Sequence, residues 1–265
     1  MGEENVFDKG NPPIVLVTND DGIYAKGLET LVEVLEKKYR VVVVAPEAEQ
    51  SAVGHALTLT QPLRVKKVKR NGMFFGFGVN GTPADCVKIA LHELIQPRPQ
   101  VLVSGINLGP NVGINVIYSG TVSAATEGAM MGLSSLAISL DSYDTQDFQI
   151  PAAIGGLLVE YLVRHPLPPG VSLNCNVPDR PRADIKGIRL TRQGIFRFVE
   201  KFDKRIDPRE NTYYWQAGSQ PPPEESPDTD HALLCRGYIT LTPITYDLTH
   251  YPSLPRLQEL EKIPL

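Results

Sequence analysis

The sequence predicts an α/β fold in which a mainly parallel β-sheet is covered on both faces by helices. Two observations carry this. From residue 14 to about residue 177, short apolar runs alternate with segments of helical periodicity, the rhythm of strand–helix–strand units. Most of these runs are also continuously apolar, as strands buried on both faces require.

In chain order, IVLVT at Ile14–Thr18 reads as a buried strand. Residues 26–38 place Leu28, Leu31, Val32 and Leu35 at helical spacing,. A second buried strand covers 41–44. Residues 58–79 lack helical periodicity and alternate like paired strands. Asn80-Gly81 makes a turn, and Thr82-Pro83 then opens a helix with a hydroxyl cap and a proline at its first position, running to about Gln96,. A strand at 101–104, an alanine-rich helix at 121–131, a strand at 136–139, an amphipathic helix at 151–164 and a strand at 172–177 complete the alternation.

After about Asp179 the chain becomes strand-like and proline-rich. Pro221, Pro222 and Pro223 sit in an acidic segment expected to be an exposed loop, 237–243 reads as a strand, and 254–262 as a short terminal helix. The expected organisation is a disordered tail at 1–13, a core at 14–180 that includes the 58–79 hairpin, and an arm at 181–265. This arm is too poor in helices to be a second domain of the same kind, and is expected to pack on the core or on a neighbouring subunit.

Composition narrows the function. The 265 residues are 42% hydrophobic and 21% charged, with a net charge of −4. That balance fits a globular protein and advertises no basic surface for long nucleic acid. No apolar run reaches membrane-spanning length, and the acidic, polar start does not read as a signal peptide. Cys86, Cys175 and Cys235 are too far apart for a disulfide framework or a thiolate metal site, and are expected to be buried thiols in a reducing compartment,.

In an open parallel sheet, ligands bind beyond the carboxyl ends of the strands. Three polar segments come directly after strands here: Asn19-Asp20-Asp21-Gly22, then 46–51 ending at Ser51, then 105–111 with Asn107 and Asn111. Adjacent aspartates are unfavourable unless a cation or several donors share them, and oxygen ligands of this kind suit Mg²⁺, Mn²⁺ or Ca²⁺. The alternative is an Asx turn, in which Asn19 or Asp20 caps the next helix and Gly22 supplies a positive φ. The 104–111 loop can expose backbone N–H groups to an anion. Tyr118-Ser119-Gly120-Thr121 precedes a helix; it is either a phosphate cradle or a plain N-cap, and the glycine, which admits close backbone approach, favours the anion. His55 could face such a site, though a structural role is the simpler reading. No dinucleotide fingerprint, Walker sequence or Gly-x-Ser-x-Gly elbow is present, which argues against nicotinamide, NTPase and serine-hydrolase chemistry.

Taken together, IVLVTNDDG, VVAPEAEQSAVGHALT, NGTPADCV, VLVSGINLGPNVG and YSGTVSAATEGAM, in that order, resemble the SurE family of stationary-phase survival nucleotidases. The resemblance is dense over 14–180 and continues thinly to TPITYDLT near Asp247. It implies a Rossmann-like three-layer core with a protruding β-hairpin and an extended C-terminal arm used in a homodimer or tetramer. It implies hydrolysis of nucleoside 5′- and 3′-monophosphates in the cytoplasm with one divalent ion per subunit, Mn²⁺ or Mg²⁺; some members also degrade short polyphosphate. By position, the family's metal ligands fall on Asp20, Asp21, Ser51 and Asn107, and its phosphate-binding segments on Asn111 and Ser119-Gly120-Thr121. The expected chemistry is metal-assisted attack of water on a phosphate monoester, with Asp20, Asp21 and Asn107 as the catalytic set. A non-catalytic nucleotide or phosphate sensor using the same pocket is the rival. Paired carboxylates argue against it, because a simple anion binder gains little from them.

Overall fold

The structure, a computed structural model, describes residues 12–144, 147–195, 199–219 and 226–264. Most of the expected N-terminal tail and the Pro221–Pro223 loop lie outside the described residues.

Among the described residues, eleven strands and six α-helices succeed one another. The first part holds β1 (Ile14–Thr18), α1 (Lys26–Leu35), β2 (Arg40–Pro46), β3 (Val65–Arg70), β4 (Met73–Val79) and α2 (Pro83–Ile89). A π-helical turn, Ala90–Leu94, extends α2. Then come β5 (Val101–Leu108), α3 (Gly120–Met130), β6 (Ser134–Asp141), α4 (Gln149–Arg164) and β7 (Val171–Pro178). The remainder supplies β8 (Ile188–Leu190), β9 (Val199–Ile206), β10 (Thr212–Ser219), α5 (Asp230–Cys235), β11 (Ile239–Thr245) and α6 (Leu254–Leu257).

Nine strands form one sheet in the order β3-β4-β2-β1-β5-β6-β7-β11-β8. From β4 to β7 every neighbour pair is parallel. This is a doubly wound order whose direction of winding reverses between β1 and β5, and ligands of such sheets bind at that switch point. The expected hairpin at 58–79 forms the sheet edge: β4 pairs with β2, and β3 lies antiparallel outside it. A second hairpin, β9–β10, makes its own two-stranded sheet. The strand expected at 237–243 does not await a neighbouring subunit, because β11 pairs antiparallel with β7 of the same chain.

Alternation within the buried strands divides the core. Val15 and Val17 of β1 face a cluster with Leu28, Leu31 and Leu35 of α1 and Val159 and Leu162 of α4. Leu16 faces the other side, with Cys86 and Val87 of α2 and Val122, Ala124 and Ala125 of α3. Two-sided burial is therefore why β1 reads as an unbroken apolar run. The expected hydroxyl cap of α2 is present and is one half of a capping box: the Thr82 hydroxyl accepts from the Asp85 N–H, and the Asp85 carboxylate accepts from the Thr82 N–H. Such a cap contributes about 1 kcal/mol.

The strand expected at 101–104 runs on to Leu108. Ser104 pairs with Ala137 and Asn107 with Ser139, so β5 carries one extra residue there. Gly105 lies at φ +140°, and a Cβ on it would sit 2.4 Å from the Ile138 carbonyl oxygen. Only glycine fits both constraints. The bulge re-aims the last residues of β5, Asn107 among them.

Candidate active site

A cleft of 220 Å³ opens at the switch point, walled by Asp20, Ser51, Asn107, Asn111, Asn115, Tyr118, Ser119 and Tyr143, among others. Five of the eight residues singled out from sequence thus share one wall. Asp21, Gly120 and Thr121 lie beside it.

The β1 loop is held from three sides. The Gln50 N–H donates to the Asp20 carbonyl (2.8 Å) and the Ile23 N–H to the Pro46 carbonyl (2.8 Å), which ties it to the loop after β2. The Leu108 N–H donates to the Asp21 carboxylate, which ties it to β5. The Thr121 hydroxyl and N–H both donate to the Asp20 carboxylate, which ties it to α3. The Asx-turn reading is also realised in part: Asn19 Nδ2 donates to the Gly22 carbonyl (3.0 Å) and Gly22 has φ +96°. Neither Asn19 nor Asp20 caps α1, whose N-cap is Ala25.

The start of α3 behaves differently from the expected cradle. The Ser119 hydroxyl accepts from the Val122 N–H (3.1 Å), a plain N-cap. A Cβ on Gly120 would lie 2.7 Å from Asp20 Cβ and 2.9 Å from Asp20 Oδ2. Gly120 therefore lets the Asp20 carboxylate come close to the helix N-terminus. The positive end of α3 favours that carboxylate and fixes its direction.

Asp20 is only 6% exposed. Burial pushes its carboxyl above the usual carboxylate range, and the Thr121 hydrogen bonds only partly oppose this. Asp21 is pushed up to about 7, first by burial and then by the charges of Asp20 and Glu49. Glu49 was not singled out from sequence. It accepts the Ser51 hydroxyl and makes the loop after β2 a third source of negative charge. Among the described residues no group of three His, Cys, Asp or Glu side chains converges in a metal-type cluster, so any cation here would also draw on neutral oxygens.

Asn107 Nδ2 donates to the Gly109 carbonyl (2.6 Å). Asn111 is buried, and its Nδ2 donates to Ser139 Oγ (2.9 Å). Two exposed tyrosines, Tyr118 and Tyr143, stand at the rim. His55 is structural: its Nε2 lies 2.8 Å from Glu127 of α3, which also receives Lys88 Nζ at 2.7 Å. Burial alone would raise the Glu127 carboxyl, but His55 and Lys88 hold it below the usual range. The cysteines are all free; Cys86 and Cys175 are buried as expected, whereas Cys235, at the end of the short α5, is exposed.

A doubly wound sheet with an acidic, amide-lined cleft at its switch point defines a Rossmann-like α/β protein with paired carboxylates at the place where such sheets take their ligands,. The family model described as Survival protein SurE matches residues 15–200. The chain is 54% identical over 243 residues to the 5′-nucleotidase SurE of Syntrophobacter fumaroxidans, covering 92% of this chain and 97% of that protein. It is 51% identical over 246 residues to the 5′-nucleotidase SurE of Syntrophus aciditrophicus, covering 92% of each. The crystal structure of the SurE protein from Aquifex aeolicus superposes with a TM-score of 0.82 at 37% identity, covering 94% of this chain and all of that one. The chain belongs to the SurE family.

Proposed function

We propose that this protein is a divalent-metal-dependent phosphatase that hydrolyses nucleoside 5′-monophosphates to nucleoside and phosphate. Nucleoside 3′-monophosphates and short polyphosphate are further substrates of the same site, since each offers a terminal phosphate. The observation that carries the reading is the Asp20–Asp21 pair. The two adjacent carboxylates are buried at the switch point, each held by its own donor, and both are pushed toward protonation, a penalty on their charged forms that a bound cation would offset,. The names of the relatives, 5′-nucleotidase SurE, agree with it.

The residues fit a hard cation such as Mn²⁺ or Mg²⁺, one per subunit. Asp20 and Asp21 supply charge, and Ser51 and Asn107 supply neutral oxygens from the same cleft. The Asn107 amide nitrogen is engaged by Gly109, which leaves its carbonyl oxygen as the ligand. The buried Asn19 Oδ1, which has no hydrogen-bond partner, adds an acceptor next to the pair. All are oxygen donors, as these ions prefer. When bound, the ion supplies Lewis acidity toward a phosphoryl oxygen.

The chain's own groups do the rest. Asp20 is immobilised by Thr121 and packed against Gly120, so it serves as a fixed ligand and not as a nucleophile. Asp21, less deeply buried, orients the attacking water. The second amide hydrogen of Asn111, together with Asn115 and the Ser119 segment, binds the equatorial phosphoryl oxygens and stabilises their charge.

No helix of the described residues is long and apolar enough to cross a membrane, and the free cysteines suit a reducing cytoplasm. Exposed apolar side chains on β9–β10 (Phe202, Tyr214, Trp215) and near the C-terminus (Leu248, Leu254, Leu257) support assembly into a homodimer or tetramer.

The direct test is phosphate release from AMP by protein stripped with EDTA and then supplied with Mn²⁺ or Mg²⁺. Activity is expected to vanish and return. Full turnover in stripped protein would remove the metal from the reading, and tight AMP binding without turnover would make the protein a sensor.

A further inference from the structure

The loop that carries Asn111 into the cleft leads straight into a 3-10 helix, Gly113–Ile117, and the polar backbone atoms of Asn111 and Gly113 are held one by one by later parts of the chain. The Asn111 N–H donates to Asn176 Oδ1 (2.7 Å). The Asn111 carbonyl accepts from Asn174 Nδ2 (2.8 Å) and Asn176 Nδ2 (3.1 Å). The Gly113 N–H donates to Asp230 Oδ2 (3.0 Å), and the Gly113 carbonyl accepts from Gln193 Nε2 (2.8 Å). Between them, Val112 packs on Leu234. Asp230 and Leu234 are one turn apart on α5, hence on the same face, so this short helix presents one polar and one apolar contact to the loop.

Asp230 does more than hold Gly113. Its other oxygen accepts the N–H groups of Gly194 (2.9 Å) and His231 (2.8 Å). The carboxylate is fully buried and has no cationic side chain within salt-bridge distance among the described residues. Three backbone donors from three segments stabilise it. A buried charge held in this way is costly to create and costly to disturb, which is more than a surface loop needs in order simply to be tied down.

We infer that Asp230 and Gln193 are positioning residues for catalysis: acting through Gly113, they fix the loop that presents Asn111 and Asn115 to the phosphate. The inference rests on the phosphatase reading above for its kinetic consequence, but not for its structural one. The C-terminal segment thereby completes a phosphate-binding wall whose metal-binding side is built entirely from residues before 110.

The test compares Asp230→Asn, Gln193→Ala and a control, Thr229→Ala. Thr229 caps α5 by accepting from the Ala232 N–H and makes none of the contacts to Gly113. Kinetics with AMP and with p-nitrophenyl phosphate, inhibition by inorganic phosphate, Mn²⁺ affinity by calorimetry, melting temperature and amide exchange over 107–118 are measured on each. Losing one hydrogen bond corresponds to about a five-fold effect, so Gln193→Ala is expected to raise KM for both substrates about five-fold and Asp230→Asn by more. Phosphate inhibition should weaken in parallel, with Mn²⁺ affinity unchanged. Exchange over 107–118 should quicken in both variants and not in Thr229→Ala, which should only melt earlier. Wild-type KM and wild-type exchange in Gln193→Ala would overturn the inference, and this variant keeps the test open if Asp230→Asn fails to fold. If wild-type protein hydrolyses neither substrate, the phosphatase reading falls alone, and amide exchange together with phosphate affinity still decides the role of Asp230 and Gln193.

Discussion

The two ends of this chain solve the problem of apolar surface in opposite ways. Between Ile14 and Pro178, most apolar side chains on the strands and the inner helix faces are buried within the chain itself, in two clusters either side of the sheet, with Met73 and Phe74 of the edge hairpin as exceptions. Beyond β11 the apolar residues point outward: Leu248 is 87% exposed and Ile263 61%. The β9–β10 hairpin likewise leaves Phe202 and Trp215 open. The first region is finished as a monomer, and the second reads as surface prepared for another copy. The residues proposed for catalysis obey the same division. Their carboxylates sit in the finished region, and only the Asn111 loop reaches across to the later part of the chain.

The largest effects should come from the finished region. Asp20→Asn or Asp21→Asn should each lower AMP turnover about 10²–10³-fold, the cost of removing one preorganised charge-stabilising group. Near wild-type turnover in either variant would take that residue out of the ligand set. The same Asp21 substitution gives a second signal without metal. A carboxyl whose folded pKa stands near 7, above its unfolded value, loses stability for the protein as pH rises from about 4 through 7,. Metal-free Asp21→Asn should therefore melt higher than wild type at pH 8 and not at pH 4. A melting difference independent of pH would contradict the burial and repulsion assigned to Asp21.

Gly120→Val sharpens the comparison within the site. The added side chain strikes Asp20, so Mn²⁺ affinity should fall about ten-fold, the effect of losing a charge-assisted hydrogen bond. If Gly120 instead met the substrate, KM for AMP would rise with Mn²⁺ affinity intact, and calorimetry separates the two.

Removing residues 246–265 probes the unfinished region and should change catalysis least. The described residues of that segment are nearly all exposed and β11 ends at Thr245, so turnover per subunit should stay within about two-fold, as for surface changes away from the core. The mass in solution by light scattering should drop. An unchanged mass would locate assembly elsewhere, with β9–β10 the next surface to vary.

Much of this was legible in the sequence because the finished region obeys local rules. Apolar runs marked β1, β2, β5 and β6, the alternating SLNCNV marked β7, the Thr82-Pro83 pair marked α2, and strand ends marked the polar loops that converge. The features that were not legible depend on tertiary contact. The extension of β5 to Leu108 rests on a bulge that only Ile138 across the sheet makes necessary. The contact of Gly120 with Asp20 was not legible because a glycine at a helix start signals close approach without naming the group that approaches. Glu49 carried no motif of its own, and α5 is too short for its periodicity to register. The pairing of β11 with β7 joins residues more than sixty positions apart, a choice that strand propensity alone cannot make.

The bond between Gly113 and Asp230 spans 117 residues of sequence, and it has a consequence for how the protein comes into being. During synthesis the strands that carry Asp20, Asp21 and Asn107 emerge first and have the contacts they need to fold. The loop that presents Asn111 is without its last anchors until Gln193, Asp230 and Leu234 have left the ribosome. A nascent chain can therefore assemble the acidic half of its cleft well before the anion-binding half is fixed. On the proposed function, binding and cleavage of a phosphate monoester thus become properties of a chain translated past Leu234, and a fragment released earlier would hold the carboxylates without the anchors of the Asn111 loop.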